Sequence, residues 1–233
     1  ELGIEIVYDG TDAVAGDDRT AVISEIVNSD ATIVWTTLTG GETLDIFGNA
    51  VSQGFEGYWS GNSPSFDYKV HLASDFAEDF GQYWYHSYYQ APWATPGIPE
   101  METLVAEMSA RRPDLPISDV FTTGWIEGMM AEALITAAID QGDLTRANMV
   151  AISQDPSFEV DFGGLSANQS WPQDYNEALV RSSWIYDIDE TQFNLIPTSE
   201  STADNPGSTG LVPVEQDYTG TVLADYQFDG PCI

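Results

Sequence analysis

The chain has 233 residues, with six Lys and Arg against 38 Asp and Glu, a formal charge of −32. No basic patch can be assembled from Arg19, Lys69, Arg111, Arg112, Arg146 and Arg181, which excludes a reader of nucleic acid or of an anionic membrane surface. The 42% hydrophobic and 12% aromatic content equally excludes a disordered acidic tail, which is too poor in apolar side chains to bury a core.

Charge of this density repels itself in a compact state unless salt screens it, at ~0.15 M over about 8 Å, so it reads equally as a saline medium or as simple high solubility. One cysteine, Cys232, allows neither an internal disulfide nor a thiolate metal site. No run approaches the ~18 apolar residues of a membrane span. The opening Glu1-Leu2-Gly3-Ile4-Glu5 has neither Met nor a signal-peptide pattern. It leads directly into a predicted strand at 4–8, so the chain reads as starting inside a longer precursor.

A helix is predicted next, from Asp17-Asp18 through Val22, Ile23, Ile26 and Val27. Residues 31–38, Ala-Thr-Ile-Val-Trp-Thr-Thr-Leu, read as a strand buried on both faces. Thr39-Gly40-Gly41 then opens a helix with Leu44, Phe47, Ala50 and Val51 inward and Gly54 as its stop. A strand at 57–60, a helix near 67–79 and a strand through 82–86 complete a βαβαβ alternation, the pattern of a parallel sheet with helices on its faces. Past Pro92 three helices follow without a strand: one through Met101, Leu104, Val105 and Met108, a long one from the cap Ser118-Asp119 to Gly142, and one over 144–152. On the long helix the inward stripe is Phe121, Trp125, Met129, Ala133, Leu134 and Ala137. Residues 184–188 are a further strand, 197–210 a loop, and the last twenty residues irregular structure or short strands.

Chemistry-bearing patterns are few. His71 and His86 lie outside any zinc spacing and read as surface or partly buried side chains. Asp9, Asp12, Asp17 and Asp18 lack the alternation and the closing Glu of a calcium loop. There is no Gly-x-Ser-x-Gly elbow and no phosphate-binding glycine loop, so neither an enzyme nor a cofactor is expected. Ligands of open parallel sheets bind outside the carboxyl ends of the strands, beside helix N-termini. Two segments fall there, residues 36–41 (Thr-Thr-Leu-Thr-Gly-Gly) and 60–65 (Ser-Gly-Asn-Ser-Pro-Ser). They serve equally as ligand-contacting loops or as ordinary capped turns. Tyr88, Tyr89, Trp93 and Trp125 are candidates for an apolar wall.

The phrases Asp119-Val120-Phe121-Thr122-Thr123-Gly124-Trp125, Met130-Ala131-Glu132-Ala133-Leu134 and Gly142-Asp143-Leu144-Thr145-Arg146 resemble the type I periplasmic solute-binding proteins of ABC transporters. So do Val34-Trp35 before Thr39-Gly40-Gly41, Gly54-Phe55 before Tyr58-Trp59-Ser60-Gly61, and Phe162-Gly163-Gly164-Leu165. The branched-chain amino-acid group is the most similar, over roughly residues 1–190.

The resemblance implies an α/β fold of two three-layer lobes, incomplete at the N-terminus. It places 1–88 in the second lobe, 89–178 as helices of the first, 179–190 as a return crossing and 191–233 as a loop-rich tail. It implies a small polar ligand held between the lobes and a membrane permease as partner. It also implies export to the periplasm or cell exterior, free or lipid-anchored through the missing N-terminus. The ligand-binding positions it assigns are Thr39, Gly40, Asn62 and Ser63, to which the residues themselves add Tyr89 and Trp125 as wall candidates. Where the family carries an acid for a ligand amine this chain has Asn62-Ser63, with Asp67 the substitute, so an amide or short acid fits as well as an amino acid. The same fold also serves ligand-sensing domains of receptors and regulators, and an acidic extracellular enzyme is the third alternative.

Overall fold

The computed structural model of the chain describes residues 3–11, 18–172, 174, 176 and 180–227. Asp12, Asp17 and Cys232, singled out above, lie outside them. The chain divides into two compact units: Glu1–Tyr88 with Trp184–Asn194 and Gly210–Gln216, and Tyr89–Ser183 with Leu195–Thr209 and Asp217–Ile233.

In the first unit α1 (Thr20–Asn28) leads to β1 (Ile33–Thr36), and α2 (Gly40–Ser52) connects β1 to β2 (Tyr58–Gly61). The two strands pair in parallel, Ile33 opposite Tyr58 and Thr36 opposite Gly61. A parallel bridge from Trp59 to Trp84 leads on to β3 (Tyr85–Tyr88). This strand pairs antiparallel with β4 (Ser183–Ile188), and β5 (Leu211–Tyr218) follows on the far side of β4. The sheet content is therefore mixed. A helical crossover dictates the direction of β1 and β2, whereas β4 returns from a distant part of the chain and is free to run the other way.

The core of this unit is aromatic. Phe47 of α2 stacks on Phe80 at 3.9 Å and meets the edge of Trp59 at 5.3 Å. Phe66 stacks on His71 at 4.9 Å and lies 5.9 Å from Trp84. Such pairs add about 0.5–1.5 kcal/mol each to the burial of their surface.

Three expectations are corrected here. The segment 4–8 forms no strand: Gly3 takes a positive φ, Asp9 closes a turn on Thr11, and Ile4, Ile6 and Val7 are exposed. β1 is buried on one face only, since Ile33 and Trp35 are exposed while Thr36 is buried. The helix expected at 67–79 is two, α3 (Tyr68–His71) and α4 (Ala77–Tyr83). Ser74 divides them: its Oγ donates to the His71 carbonyl at 2.6 Å and accepts the Phe76 N–H at 3.1 Å, the local competition that keeps serine out of helix interiors.

The second unit contains α5 (Pro99–Arg111), α6 (Asp119–Asp140), α7 (Arg146–Ser153) and the short α8 (Thr221–Asp225). Pro99 opens α5, where its missing N–H costs nothing. The Thr198 hydroxyl closes the other end, donating to the Arg112 carbonyl at 2.5 Å. Ser118 caps α6 by accepting the Val120 N–H, and Gly142 stops it at φ +73. The fully buried positions of α6 are Asp119, Thr122, Ile126 and Ala138. The predicted stripe from Phe121 to Ala137 is half-buried, and Ile135 and Ile139 are exposed.

Acidic residues serve as turn caps more than as ion-pair partners. Asp9, Asp18, Asp143, Asp155 and Asp189 each accept the N–H of the Thr or Ser two residues on. Hydrogen bonds from these residues hold each carboxyl below its usual range. Among the described residues Arg19 pairs with Glu42 and Asp45, and Arg111 with Glu107.

Candidate functional site

Because β1 and β2 are parallel, their carboxyl ends emerge side by side in the first unit. The loops that follow are stitched together. A Cβ on Gly61 would stand 2.6 Å from the Thr36 carbonyl oxygen and 2.8 Å from Ser65 Oγ, so only glycine fits. Ser65, fully buried, places its Oγ 3.0 Å from the Thr36 and Leu38 carbonyls and 2.6 Å from Asn62 Oδ1. The Asn62 N–H adds a bond to the Thr36 carbonyl at 3.2 Å.

Thr39, Gly40, Asn62 and Ser63 all lie at this edge. Thr39 precedes α2, and its N–H and hydroxyl donate to Glu42 Oε2 at 3.3 and 2.9 Å. Those bonds, helped by Arg19, hold the Glu42 carboxyl below its usual range, so the Thr39 hydroxyl proton is committed to capping. Gly40 is buried, and a Cβ there would stand 3.1 Å from Asp67 Cβ and 3.3 Å from His71 Cε1. The first N–H groups of α2 lack intrahelical partners and are open to an acceptor. Ser63 begins a 3-10 turn, Ser63–Ser65, half-buried and outside the Ser65 network. Asp67 caps α3 by accepting the Lys69 N–H at 2.9 Å. The edge therefore offers hydroxyl, amide and helix-end N–H groups held in fixed positions.

Tyr89 and Trp125 belong to the second unit. The Tyr89 hydroxyl donates to Thr123 Oγ1 at 3.4 Å, Thr123 to Gln90 Oε1 at 3.0 Å, and Gln90 Nε2 to the Asp119 carbonyl at 2.7 Å. Trp125 Nε1 donates to Glu100 Oε1 at 2.6 Å. Thr123 and Trp125 are two residues apart, roughly 200° around α6, so Tyr89 and Trp125 are held on different faces of that helix and do not form one wall.

The two histidines are core residues, contrary to expectation. His71 and His86 are 0% and 2% exposed. Burial lowers the pKa of His71, and burial together with the neighbouring His71 lowers that of His86 to about 3. Both imidazoles are therefore neutral at ordinary pH, packed against rings: His86 lies 5.3 Å from Phe66 and 5.2 Å from Tyr88. Among the described residues no three His, Cys, Asp or Glu side chains stand together as a metal site. An open depression of about 470 Å³ lies at the opposite, amino edge of β1 and β2, between Ser29–Thr32 and Gly54–Tyr58. It lies at the C-terminal end of α1, where the Ser29 hydroxyl donates to the Ile26 carbonyl at 2.8 Å, and no helix begins among its lining residues.

Sequence reasoning passed over Ser65 and His71 as site-forming residues. The run Gly61-Asn62-Ser63-Pro64-Ser65 marks the loop, but only the register of Thr36 with Gly61 shows which of its serines is structural. Gln90 and Asp119 carry no local signal, being 29 residues apart and joined only in the fold.

A family model described as periplasmic binding protein matches residues 1–192. The chain belongs to the periplasmic binding protein family. Its fold resembles that of a fatty acid ABC transporter substrate-binding protein from Thermomonospora curvata (TM-score 0.70, 18% identity), covering 91% of this chain and 50% of that one. It is also similar to a branched chain amino acid ABC transporter from Thermus thermophilus with bound valine (TM-score 0.62, 13% identity), covering 88% and 50%. A third is an ABC transporter substrate binding protein from Aeropyrum pernix (TM-score 0.57, 12% identity), covering 87% and 48%. These likenesses establish the type I periplasmic-binding-protein fold. This chain spans about half the length of each of those structures. No curated protein matches it.

Proposed function

We propose that the chain is part of the solute-binding component of an ABC importer, and that a small polar metabolite, an amino acid, amide or short acid, docks at the carboxyl edge of β1 and β2. The observation that carries this is the pair of interlocked loops at Thr36–Gly40 and Gly61–Ser65, which fix hydroxyl and amide groups beside the N-terminus of α2. Membership of the family supports a binding role without chemical transformation of the solute. Hinge closure of two lobes on the solute would then present it to a membrane permease outside the cytoplasm.

In this reading residues 1–88 belong to the second lobe, 89–178 supply helices of the first, 179–190 cross back and 191–233 form the tail. The break between compact units at Tyr88 and Tyr89 supports the first of these boundaries. Thr39, Gly40, Asn62 and Ser63 contact solute from the second lobe. Asn62-Ser63 cannot neutralise an ammonium, which favours solutes recognised through hydrogen bonds. A thermal-shift screen of the chain against amino acids, amides and short acids, in low and high salt, tests the reading. Stabilisation by at least one class is expected, weakened about fivefold or more in affinity by Ser63→Ala if its hydroxyl meets the solute. No stabilisation by any class in either salt would overturn it.

A further inference from the structure

We propose that His71 and His86 form an acid-sensitive latch beneath the carboxyl edge of β1 and β2, so that mild acid loosens the segment from Asn62 to His71 and with it the loops assigned to solute. The role in solute release rests on the proposed function; the latch itself does not. These are the only two histidines of the chain, and both are in one aromatic cluster with Phe66, Phe80 and Trp84. His71 Nε2 and His86 Nδ1 are buried without a hydrogen-bond partner. His71 Nδ1 lies 2.9 Å from the Asp67 nitrogen and 2.8 Å from the Asp67 carbonyl oxygen, while its Cε1 sits against the position of Gly40.

Only a neutral ring can accept the Asp67 N–H, because a protonated ring has two donors and no acceptor. In that neutral ring Nε2 already carries the N–H; the added proton goes to Nδ1, ends the bond from the Asp67 N–H and turns Nδ1 to the Asp67 carbonyl oxygen at 2.8 Å, at the point where α3 is pinned under the first residue of α2. The groups acting on the charge are few. Burial opposes charge on His71, while the Asp67 and Gly40 backbones and then the Asp67 carboxylate favour it; burial and then His71 oppose charge on His86. α2, the 3-10 turn, α4 and β3 present Gly40, Phe66, Phe80, Trp84 and Tyr88 to the rings, none of which titrates in the acid range.

The fold holds both rings neutral, with pKa values below the roughly 6.5 of an unfolded histidine. Protons therefore bind the open form preferentially below about pH 6.5, and each histidine shifts the closed-to-open equilibrium by up to about tenfold per pH unit there. Asp9, Asp18, Glu42, Asp143, Asp155 and Asp189 lose their hydrogen bonds only below the usual carboxylate range, so the window from pH 6.5 to 4.5 reports the histidines.

The test is NMR of the two histidine Cε1–H resonances between pH 7.5 and 4.5, with hydrogen exchange of the same chain corrected for the intrinsic pH dependence. In the folded state the His86 resonance should not titrate in this range and that of His71 should titrate below the ordinary histidine range, and protection should fall first in peptides covering 36–42 and 61–72. His86→Phe, which keeps the ring packing, and His71→Asn, which keeps an acceptor for Asp67, should each remove part of that acid response. A folded-state midpoint near 6.5 for either histidine, an acid response spread evenly over 120–140, or an unchanged response in folded variants would overturn the latch. None of these readouts needs a solute, so a failure of the solute screen leaves this result standing on its own.

Discussion

The two faces of the sheet in the first unit use the same kinds of residue to opposite ends. On one face Trp59 and Trp84 are 2% and 0% exposed, locked against Phe47 and Phe80. On the other, Ile33, Trp35 and Tyr58 are 56%, 59% and 53% exposed, and Tyr58 touches only the ring of Tyr85 at 5.9 Å among the described aromatic contacts. Period-two alternation tells which residues share a face. It does not tell which face a helix covers, and here α2 and α4 cover the one that carries Trp59 and Trp84.

The sharpest way to break this contrast is truncation. Phe47→Ala removes the ring at the centre of the buried face and should cost about 3–5 kcal/mol in chemical denaturation, whereas Trp35→Ala should stay within about 0.5–1 kcal/mol. Equal losses would mean the outer face is covered in solution. Next in size is acid. The folded state depresses the pKa of both buried histidines, so each gives stability that is complete above about pH 6.5 and declines by up to ~1.4 kcal/mol per pH unit as the pH falls through the window toward about 3 for His86. Urea titrations at pH 7.5, 6 and 5 check the slope, and a flat profile would place the rings in contact with water. Ser65→Ala should cost about 1–3 kcal/mol by removing the one hydroxyl proton shared among the Thr36 and Leu38 carbonyls and Asn62 Oδ1. Salt comes after these: raising NaCl from about 0.01 M to about 1 M shortens the screening length from roughly 30 Å to roughly 3 Å, and the melting temperature should rise. The exposed Arg111–Glu107 pair is the smallest, with Glu107→Gln changing stability by about 0–1 kcal/mol.

Much of the first unit was legible. The cap at Thr39, the stop at Gly54 and the strand pair with its carboxyl-edge loops follow from local patterns, because capping, periodicity and glycine conformation act within a few residues. So do Ser118 and Gly142 at the ends of α6. The antiparallel return of β4 and the break at Ser74 were not legible. The first depends on a strand about a hundred residues away, and the second on a hydroxyl choosing backbone partners over solvent. The site was half legible: Thr39, Gly40, Asn62 and Ser63 gather at one edge as the strand register requires, while Ser65, which ties that edge together, and the burial of His71 beneath it are visible only in three dimensions. Tyr89 and Trp125 look equivalent in the sequence, and their different partners on α6 separate them.

The central claim is that solute meets this chain at the carboxyl edge of β1 and β2. Hydrogen exchange with and without the solute that most raises the melting temperature tests it directly. Added protection should concentrate in residues 37–41 and 61–65. Protection confined to 29–32 and 54–58, around the depression at the opposite edge, or none in the first unit, would contradict it.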